Sequence, residues 1–465
     1  MIRKNAAQIA AVLLLANAVG CTCVNEPLND ATVPLELRLT NHTRAATFAD
    51  LGPLASGRLI STRTATQSAA PILPDNDGYF VGIAISGGGL RSANYAAACL
   101  FQLQRLNLLD KVDYISSVSG GSVVAAYYCL YDESHWNPGT VQRELTHRFG
   151  TDVITSAFLP WNAIALMFTN WDSTDILAQS LDKHLYRRNG RSLTFADLRQ
   201  DRPRLLINAT DLQSGNRFMF CNESFDELNS DLSRYPIAHA VAAGSAVPVL
   251  LHPKTLRDYS TAFKQYRHFI DGAITDNLGV QSLLDVYQAQ NGPRPGRTPP
   301  YPNGAVIILI DAGTRYDAKL SDRGDIGFWQ KVRRSMDLAS TALISRANSA
   351  TLAELILLHS DDTLNAENLR QHKQRLEQTG LLEILDRDHR PIQVVHLSLS
   401  SVRRLSNLPF PSFSESLDNI STFFNIDQTE AYRLYQAADL LLRDDQIHAA
   451  LEQIARNLAR PASQP

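Results

Sequence analysis

The sequence has 465 residues, of which 44% are hydrophobic and 20% charged, and its net charge is −3. This composition predicts a globular protein with a large core. The sequence has no long basic run, which argues against a nucleic-acid-binding protein. Five cysteines without a C-x-x-C pair exclude a disulfide scaffold and a cysteine-based zinc site. Cys99 and Cys129 lie in apolar runs and are predicted to be buried thiols. We expect no cofactor, no metal ion and no nucleic-acid partner.

The N-terminus has the features of an export signal. Arg3 and Lys4 precede an apolar run that is too short to span a bilayer. Ala18 and two further small residues then precede Cys21, which resembles a bacterial lipobox with Ala18 in place of the usual Leu. We therefore expect residues 1–20 to be a signal peptide, Cys21 to be lipidated, and the protein to be an exported outer-membrane lipoprotein of a bacterium. An ordinary cleaved signal and an uncleaved anchor are the alternatives.

Residues 21–77 are rich in Thr, Ala, Asn, Pro and Ser and lack an apolar period, which is typical of a tether. No linker interrupts residues 78–455, the predicted catalytic domain, and residues 456–465 form a predicted tail. Within the domain, short apolar runs alternate with helix-like stretches. This alternation predicts an α/β protein with a mostly parallel sheet covered on both faces. The predicted strands are 81–86, 114–118, 204–209, 305–310 and 393–399.

Three consecutive glycines, residues 87–89, follow the first predicted strand and precede a helix-forming stretch. Glycines let backbone N–H groups approach a ligand closely, and a helix N-terminus favours negative charge, so this turn is predicted to hold an anion. Arg91 is predicted either to support the turn or bind a phosphate, or else to form a structural ion pair. A nucleotide-binding module is a further alternative, but Ser92 stands where the third glycine of a dinucleotide fingerprint belongs.

The second predicted strand ends in Ser117-Val118-Ser119-Gly120-Gly121 and passes at once into a helix-forming stretch. Ser119 therefore lies at a strand-to-helix corner, the geometry of a nucleophile elbow, where the next amide can stabilise an oxyanion. Ser117 replaces the usual first glycine, and a purely structural corner is the alternative. Further along, Asp271 precedes Gly272 and Ala273, a pattern that by itself is most often a simple turn.

Taken in order, these three motifs resemble those of the patatin-like phospholipase family, which are G-G-G-x-R/K, G-x-S-x-G and Asp-Gly-Gly/Ala. Stretches 207–220, 240–253 and 424–442 are also similar to the family, so the resemblance spans most of the chain after the tether. It implies a three-layer α/β/α sandwich with a mostly parallel central sheet. It also implies a serine acyl hydrolase that acts on phospholipids or lysophospholipids at a membrane surface.

The resemblance implies a catalytic dyad in which the aspartate acts directly on the serine, without a histidine between them. The residues implied are Ser119 and Asp271 as the dyad, Gly87, Gly88, Gly89 and Gly120 as the oxyanion hole, and Arg91 at the substrate. The competing hypothesis is an α/β-hydrolase with a Ser-Asp-His triad, whose base would be His359 or His396. His268 is predicted to be a structural or surface residue. Segment 157–168 is predicted to be a buried packing helix, with an acyl-chain channel or membrane contact as the alternative.

The lipidation of Cys21 is directly testable. Membrane fractionation of the wild-type protein and Cys21→Ala should find the wild type with outer membranes and the variant released from them, because the variant has no thiol to acylate. A Cys21→Ala protein that stays with membranes through an intact N-terminus would instead indicate an uncleaved anchor.

Overall fold

A computed structural model describes residues 27–31, 77–157, 172–248, 250–260, 265–292, 298–313, 348, 351–352, 366–386, 388–420, 422 and 424–460. The predicted signal peptide, Cys21 and most of the predicted tether lie outside these residues. His359, residues 158–168 of the predicted packing segment and residues 461–465 of the predicted tail lie outside them as well. Of the helices that are described, none is long and apolar enough to cross a membrane.

The strands are β1 Phe80–Ile85, β2 Tyr114–Val118, β3 Arg187–Arg188, β4 Arg191–Ser192, β5 Arg204–Asp211, β6 Arg217–Phe220, β7 Lys254–Asp258, β8 Gln265–Asp271, β9 Ala305–Asp311, β10 Leu381–Leu385 and β11 Pro391–Ser398. The five strands predicted from the sequence are confirmed as β1, β2, β5, β9 and β11.

The α-helices are α1 Gly89–Arg105, α2 Gly120–Leu130, α3 Pro138–Leu145, α4 Phe149–Ala157, α5 Ser173–Leu185, α6 Asn222–Glu227, α7 Ile237–Gly244, α8 Ala273–Asp276, α9 Val280–Asn291, α10 Ala366–Thr379, α11 Phe413–Asp418, α12 Gln428–Leu442 and α13 Asp445–Leu458. Single 3₁₀ turns occur at Leu109–Lys111, Phe195–Asp197 and Leu232–Arg234, and a longer 3₁₀ segment spans Leu399–Arg404.

One sheet organises the domain, in the order β10-β11-β9-β1-β2-β5-β8-β7, with β6 also paired to β5. The run from β11 to β5 is parallel, and antiparallel strands flank it on both sides. Every residue of β1, β2, β5 and β9 is buried, as expected of parallel strands covered on both faces.

Alternate residues of each central strand enter two separate cores. In β1, Val81, Ile83 and Ile85 pack with the helices of one face, which include α1, α2 and α12. Phe80 and Ala84 point the other way into the second core, which also contains residues of α9 and α10. Because side chains alternate across a strand, these two cores require a helical layer on each side. The predicted three-layer α/β/α sandwich with a mostly parallel central sheet is confirmed.

Strands β2 and β8 share one edge of β5. Ile207 of β5 pairs with both β2 and β6, so those two strands lie on opposite edges. Ala209 pairs with both β6 and Asp271 of β8, so β8 lies on the edge that β2 uses. Val118 and Asp271 pair with the consecutive residues Asn208 and Ala209. The carboxyl ends of β2 and β8 therefore face each other.

The buried side chain of Asn208 holds this junction together. Its Nδ2 donates to Ser116 Oγ at 2.8 Å and to the carbonyl oxygen of Ser117 at 3.0 Å, both in β2. Its Oδ1 accepts from Ser282 Oγ of α9 at 2.7 Å. A fully satisfied buried amide such as this specifies one arrangement of the three elements.

Part of the predicted tether is docked on the domain. Asn29 Nδ2 donates to Ser230 Oγ at 3.1 Å, and Asn29 Oδ1 accepts from the backbone N–H of Arg257 at 2.9 Å. Tyr259 donates its hydroxyl to the carbonyl oxygen of Asn29 at 2.8 Å. Residues 27–31 thus contact the region of β7.

Candidate active site

Ser119 lies at the corner between β2 and α2 with a backbone conformation that is rare for a residue with a side chain. Its φ is 51° and its ψ is −130°, just before the helix begins at Gly120. Such conformations store strain and persist only when the surroundings enforce them. Ser119 is only 5% exposed, so this corner is buried.

The two glycines after Ser119 allow this corner to form. A Cβ atom on Gly120 would overlap the carbonyl group of Gly89, and one on Gly121 would lie 2.6 Å from the carbonyl oxygen of Ser86. The corner therefore packs directly against the glycine turn. Ser117, which replaces the family's usual glycine, is fully buried and donates its hydroxyl to the carbonyl oxygen of Leu206 at 3.1 Å.

Asp271 ends β8 opposite this corner. Ser119 Oγ donates to Asp271 Oδ2 at 2.8 Å, and the backbone N–H of Ala273 donates to Asp271 Oδ1 at 2.8 Å. Asp271 is 3% exposed. Burial raises the pKa of Asp271 from 3.8 to about 6, against the opposing effect of the hydrogen bonds from Ala273 and Ser119. The structure thus brings together the predicted serine and aspartate without an intervening residue.

The glycine turn approaches the same corner from β1. Gly88 and Gly89 have φ values of 141° and 59°, which a residue with a side chain rarely adopts. The backbone N–H of Gly87 donates to the carbonyl oxygen of Asn277 at 3.0 Å. Across the part of the chain that the structure describes, the N–H groups of Gly88, Gly89 and Gly120 have no acceptor. Three of the four glycines predicted for the oxyanion hole therefore retain a free donor, whereas Gly87 fixes the turn.

Two residues that the sequence analysis missed hold this turn in place. Ser86 Oγ donates to the carbonyl oxygen of Gly87 at 3.1 Å and accepts from the N–H of Ala312 at 3.0 Å. Asn277 accepts from Gly87 and also packs against it, because a Cβ on Gly87 would lie 2.5 Å from Asn277 Oδ1. Asn277 follows Asp271 by only six residues, but nothing in the sequence indicates that it contacts the turn.

Arg91 is buried behind the turn. Its Nη1 donates to the carbonyl oxygen of Ile420 at 3.1 Å, and a Cβ on Gly88 would lie 3.8 Å from its Nη2. Burial lowers the pKa of Arg91 to about 10, partly offset by the charge of Asp311. Of the predicted roles, these contacts favour support of the glycine turn.

The histidines named as alternatives have other partners. His396 Nε2 lies 3.2 Å from Asp311 Oδ2, and His268 Nδ1 lies 3.0 Å from Thr255 Oγ1. Within the described ranges, no histidine forms a hydrogen bond with Ser119 or Asp271. Cys99 and Cys129 are buried free thiols, as predicted.

Comparison with known proteins agrees with this geometry. The sequence model of the patatin-like phospholipase family matches residues 83–284, a range that includes the glycine turn, Ser119 and Asp271. The chain therefore contains a patatin-like phospholipase domain. The match confirms the predicted enzyme class of this domain, a lipid acyl hydrolase. A comparison with curated protein sequences finds no match.

The chain is also similar to several solved structures. Human GIVD cytosolic phospholipase A2 is 15% identical with a TM-score of 0.49, and the alignment covers 94% of this chain and 66% of that chain. VipD from Legionella pneumophila is 12% identical with a TM-score of 0.27, covering 78% of this chain and 66% of that chain. ExoU of Pseudomonas aeruginosa, solved with SpcU, is 12% identical with a TM-score of 0.26, and the alignment covers 88% of this chain and 95% of that chain. This chain thus spans 66% of the human enzyme's length.

The close packing of Gly120 against Gly89 makes a specific prediction. Gly120→Ala should lower kcat for a soluble ester by at least about a hundredfold, because the new methyl group displaces two of the three free amides, and one such donor is worth ~10²–10³ in kcat. Gly139→Ala is the matched control, since a Cβ there meets only Asn137 Oδ1 at 3.8 Å. It should retain activity within about twofold, because surface substitutions rarely disturb a protein. A folded Gly120→Ala protein with wild-type kcat would contradict the assignment.

Proposed function

We propose that this protein is a serine acyl hydrolase that cleaves the fatty-acyl esters of phospholipids or lysophospholipids. The observation that carries the proposal is the hydrogen bond of 2.8 Å from Ser119 Oγ to Asp271 Oδ2, in a buried site beside free backbone amides. A hydroxyl, a proton acceptor and oxyanion donors at one site are the groups that ester hydrolysis through an acyl-enzyme requires.

Asp271 is suited to act as the base. A serine hydroxyl is a poor nucleophile until a neighbouring group accepts its proton. With a pKa of about 6, Asp271 is mostly ionised at neutral pH. It is nevertheless more basic than an exposed aspartate, which improves proton transfer in the transition state. Burial thus supplies a base without a histidine.

The proposed reaction has two steps. Ser119 Oγ attacks the ester carbonyl carbon while Asp271 takes the hydroxyl proton, and Asp271 then returns that proton to the departing lipid alcohol. In the second step, a water molecule gives a proton to Asp271 and attacks the acyl-serine carbonyl; the bond to Ser119 Oγ breaks, Asp271 returns the proton to that oxygen, and the fatty acid leaves. The N–H groups of Gly88, Gly89 and Gly120 hold the carbonyl oxygen when it gains negative charge, and each donor contributes roughly 2.7–4 kcal/mol.

The N-termini of two helices reinforce these donors. Gly89 begins α1 and Gly120 begins α2, so both free amides lie at the positive ends of helix dipoles. A helix N-terminus leaves its first N–H groups without partners inside the helix, which makes them available to an anion. The two helices therefore converge on the place where the oxyanion forms.

A membrane surface is the proposed source of the substrate. Leu212, immediately after β5, is 52% exposed, and Ile274, three residues after Asp271, is 49% exposed. Apolar side chains exposed beside the ends of β5 and β8 support contact with lipid. We also propose that the protein is an exported outer-membrane lipoprotein, which rests on the lipobox at Cys21 and is tested by fractionation of Cys21→Ala.

Five proteins distinguish the dyad from a triad: the wild type, Ser119→Ala, Asp271→Asn, His396→Gln and His359→Gln. Fatty-acid release from a panel of phospholipids and lysophospholipids should fall on the order of a thousandfold or more in the first two variants, which lose the nucleophile or the base. His396→Gln can still donate a hydrogen bond to Asp311, so it should stay within about tenfold of the wild type. His359→Gln, measured beside it, should do the same.

Circular dichroism should show that all the variants are folded. If fatty-acid release by either folded histidine variant fell as far as that of Ser119→Ala, the dyad would be wrong and a Ser-Asp-His triad would take its place. A wild-type protein that releases no fatty acid from any member of the panel would overturn the proposed substrate class.

A further inference from the structure

A second cluster of chemically reactive side chains lies away from the candidate active site. His147 follows α3, Asp152 lies in α4, and His184 lies in the last turn of α5. His147 Nε2 is 2.7 Å from Asp152 Oδ2, and His184 Nε2 is 3.6 Å from the same oxygen. Ser180 Oγ of α5 donates to Asp152 Oδ2 at 2.7 Å.

The separations within this cluster are close to those of a metal site. Zinc bonds of about 2.0–2.1 Å in a tetrahedron place neighbouring ligand atoms about 3.4 Å apart. Here two of the separations are 2.7 and 3.6 Å, and all three ligand atoms lie within 4.8 Å of one another. The two imidazole rings are stacked with centroids 3.7 Å apart. Because an imidazole nitrogen binds a metal ion in the plane of its ring, the stacked rings must rotate apart before both nitrogens can point at one ion.

The donor set also indicates the kind of ion. Imidazole nitrogens favour zinc and similar transition metals, whereas calcium and magnesium prefer sites built from oxygen. The side chains of His147, Asp152 and His184 are about one-third exposed, at 32%, 33% and 30%, so an ion can reach them from solvent. The hydrogen bond from Ser180 orients the carboxylate, as outer partners of metal ligands commonly do.

We propose that His147, Asp152 and His184 bind one divalent transition-metal ion of the zinc class. With three protein ligands, the fourth tetrahedral position is open to water. The ion joins α4 to the end of α5, two helices that already pack against each other. This site could not be predicted from the sequence, because the spacing of residues 147, 152 and 184 matches no metal-binding motif and only packing brings them together.

Metal titration of the purified full-length protein tests this site. After removal of metal with a chelator, Zn²⁺ should bind at one equivalent per chain and raise the melting temperature, because an ion that binds the folded state stabilises it. His184→Gln and Asp152→Asn should each weaken Zn²⁺ binding by at least about tenfold and abolish the shift in melting temperature. Co²⁺ should give visible ligand-field bands without a thiolate charge-transfer band.

His135→Ala is the matched control, because His135 also pairs with an aspartate, Asp132 at 3.3 Å, but is more exposed and, among the described residues, belongs to no such cluster. It should bind Zn²⁺ as the wild type does. The proposal fails if the wild type shows no saturable binding, or if His184→Gln and Asp152→Asn bind Zn²⁺ with wild-type affinity. A thiolate band with Co²⁺ would also overturn it and point to a cysteine site.

Discussion

The end-to-end meeting of β2 and β8 along one edge of β5 is the constraint on which the candidate active site depends. A parallel strand and an antiparallel strand arrive from opposite directions and stop at consecutive residues of β5. The residue after β2 and the last residue of β8 are thereby brought within hydrogen-bond distance, although 152 positions separate them in the sequence. The hydrogen bonds of Asn208 to Ser116 and Ser117 fix the position of the end of β2. The glycine turn after β1 packs against the same corner.

The same burial that suits Asp271 to its proposed role lowers the stability of the fold. Because its folded pKa of about 6 exceeds the reference value of 3.8, Asp271 contributes stability below about pH 4 that is lost as the pH rises through about 6. The difference of about two pKa units corresponds to roughly 3 kcal/mol at neutral pH. Ionised Asp271 is the form that accepts a proton, so activity and stability make opposite demands on this residue.

Prediction from the sequence succeeded where local pattern decides the outcome. The buried parallel strands are continuous apolar runs, and the glycine turn and the Ser119 corner are marked by small residues at fixed spacings. Strands β7 and β8 were missed because they read KTLRD and QYRHFID, with charged and partly exposed residues typical of antiparallel strands near an edge. Yet β8 is the strand that delivers Asp271, so the position of the aspartate came from the family resemblance alone.

Other features depend on contacts between distant segments and leave no local signal. The engagement of the Gly87 amide by Asn277 is one such contact, and the burial of Arg91 beneath the turn is another. The cluster of His147, Asp152 and His184 forms because α4 packs on α5. In each case a side chain common in many environments acquires its role from the partner that the fold places beside it.

The central claim is that Asp271 accepts the proton of Ser119 directly. The most direct measurement is the rate of labelling of the wild-type protein by a fluorophosphonate as a function of pH, with the modified residue identified by peptide mass spectrometry. The adduct should lie on Ser119, and the rate should fall about tenfold per pH unit below about 6, where Asp271 becomes protonated. An adduct on Ser122, or a rate that does not change between about pH 8 and about pH 5, would contradict the claim.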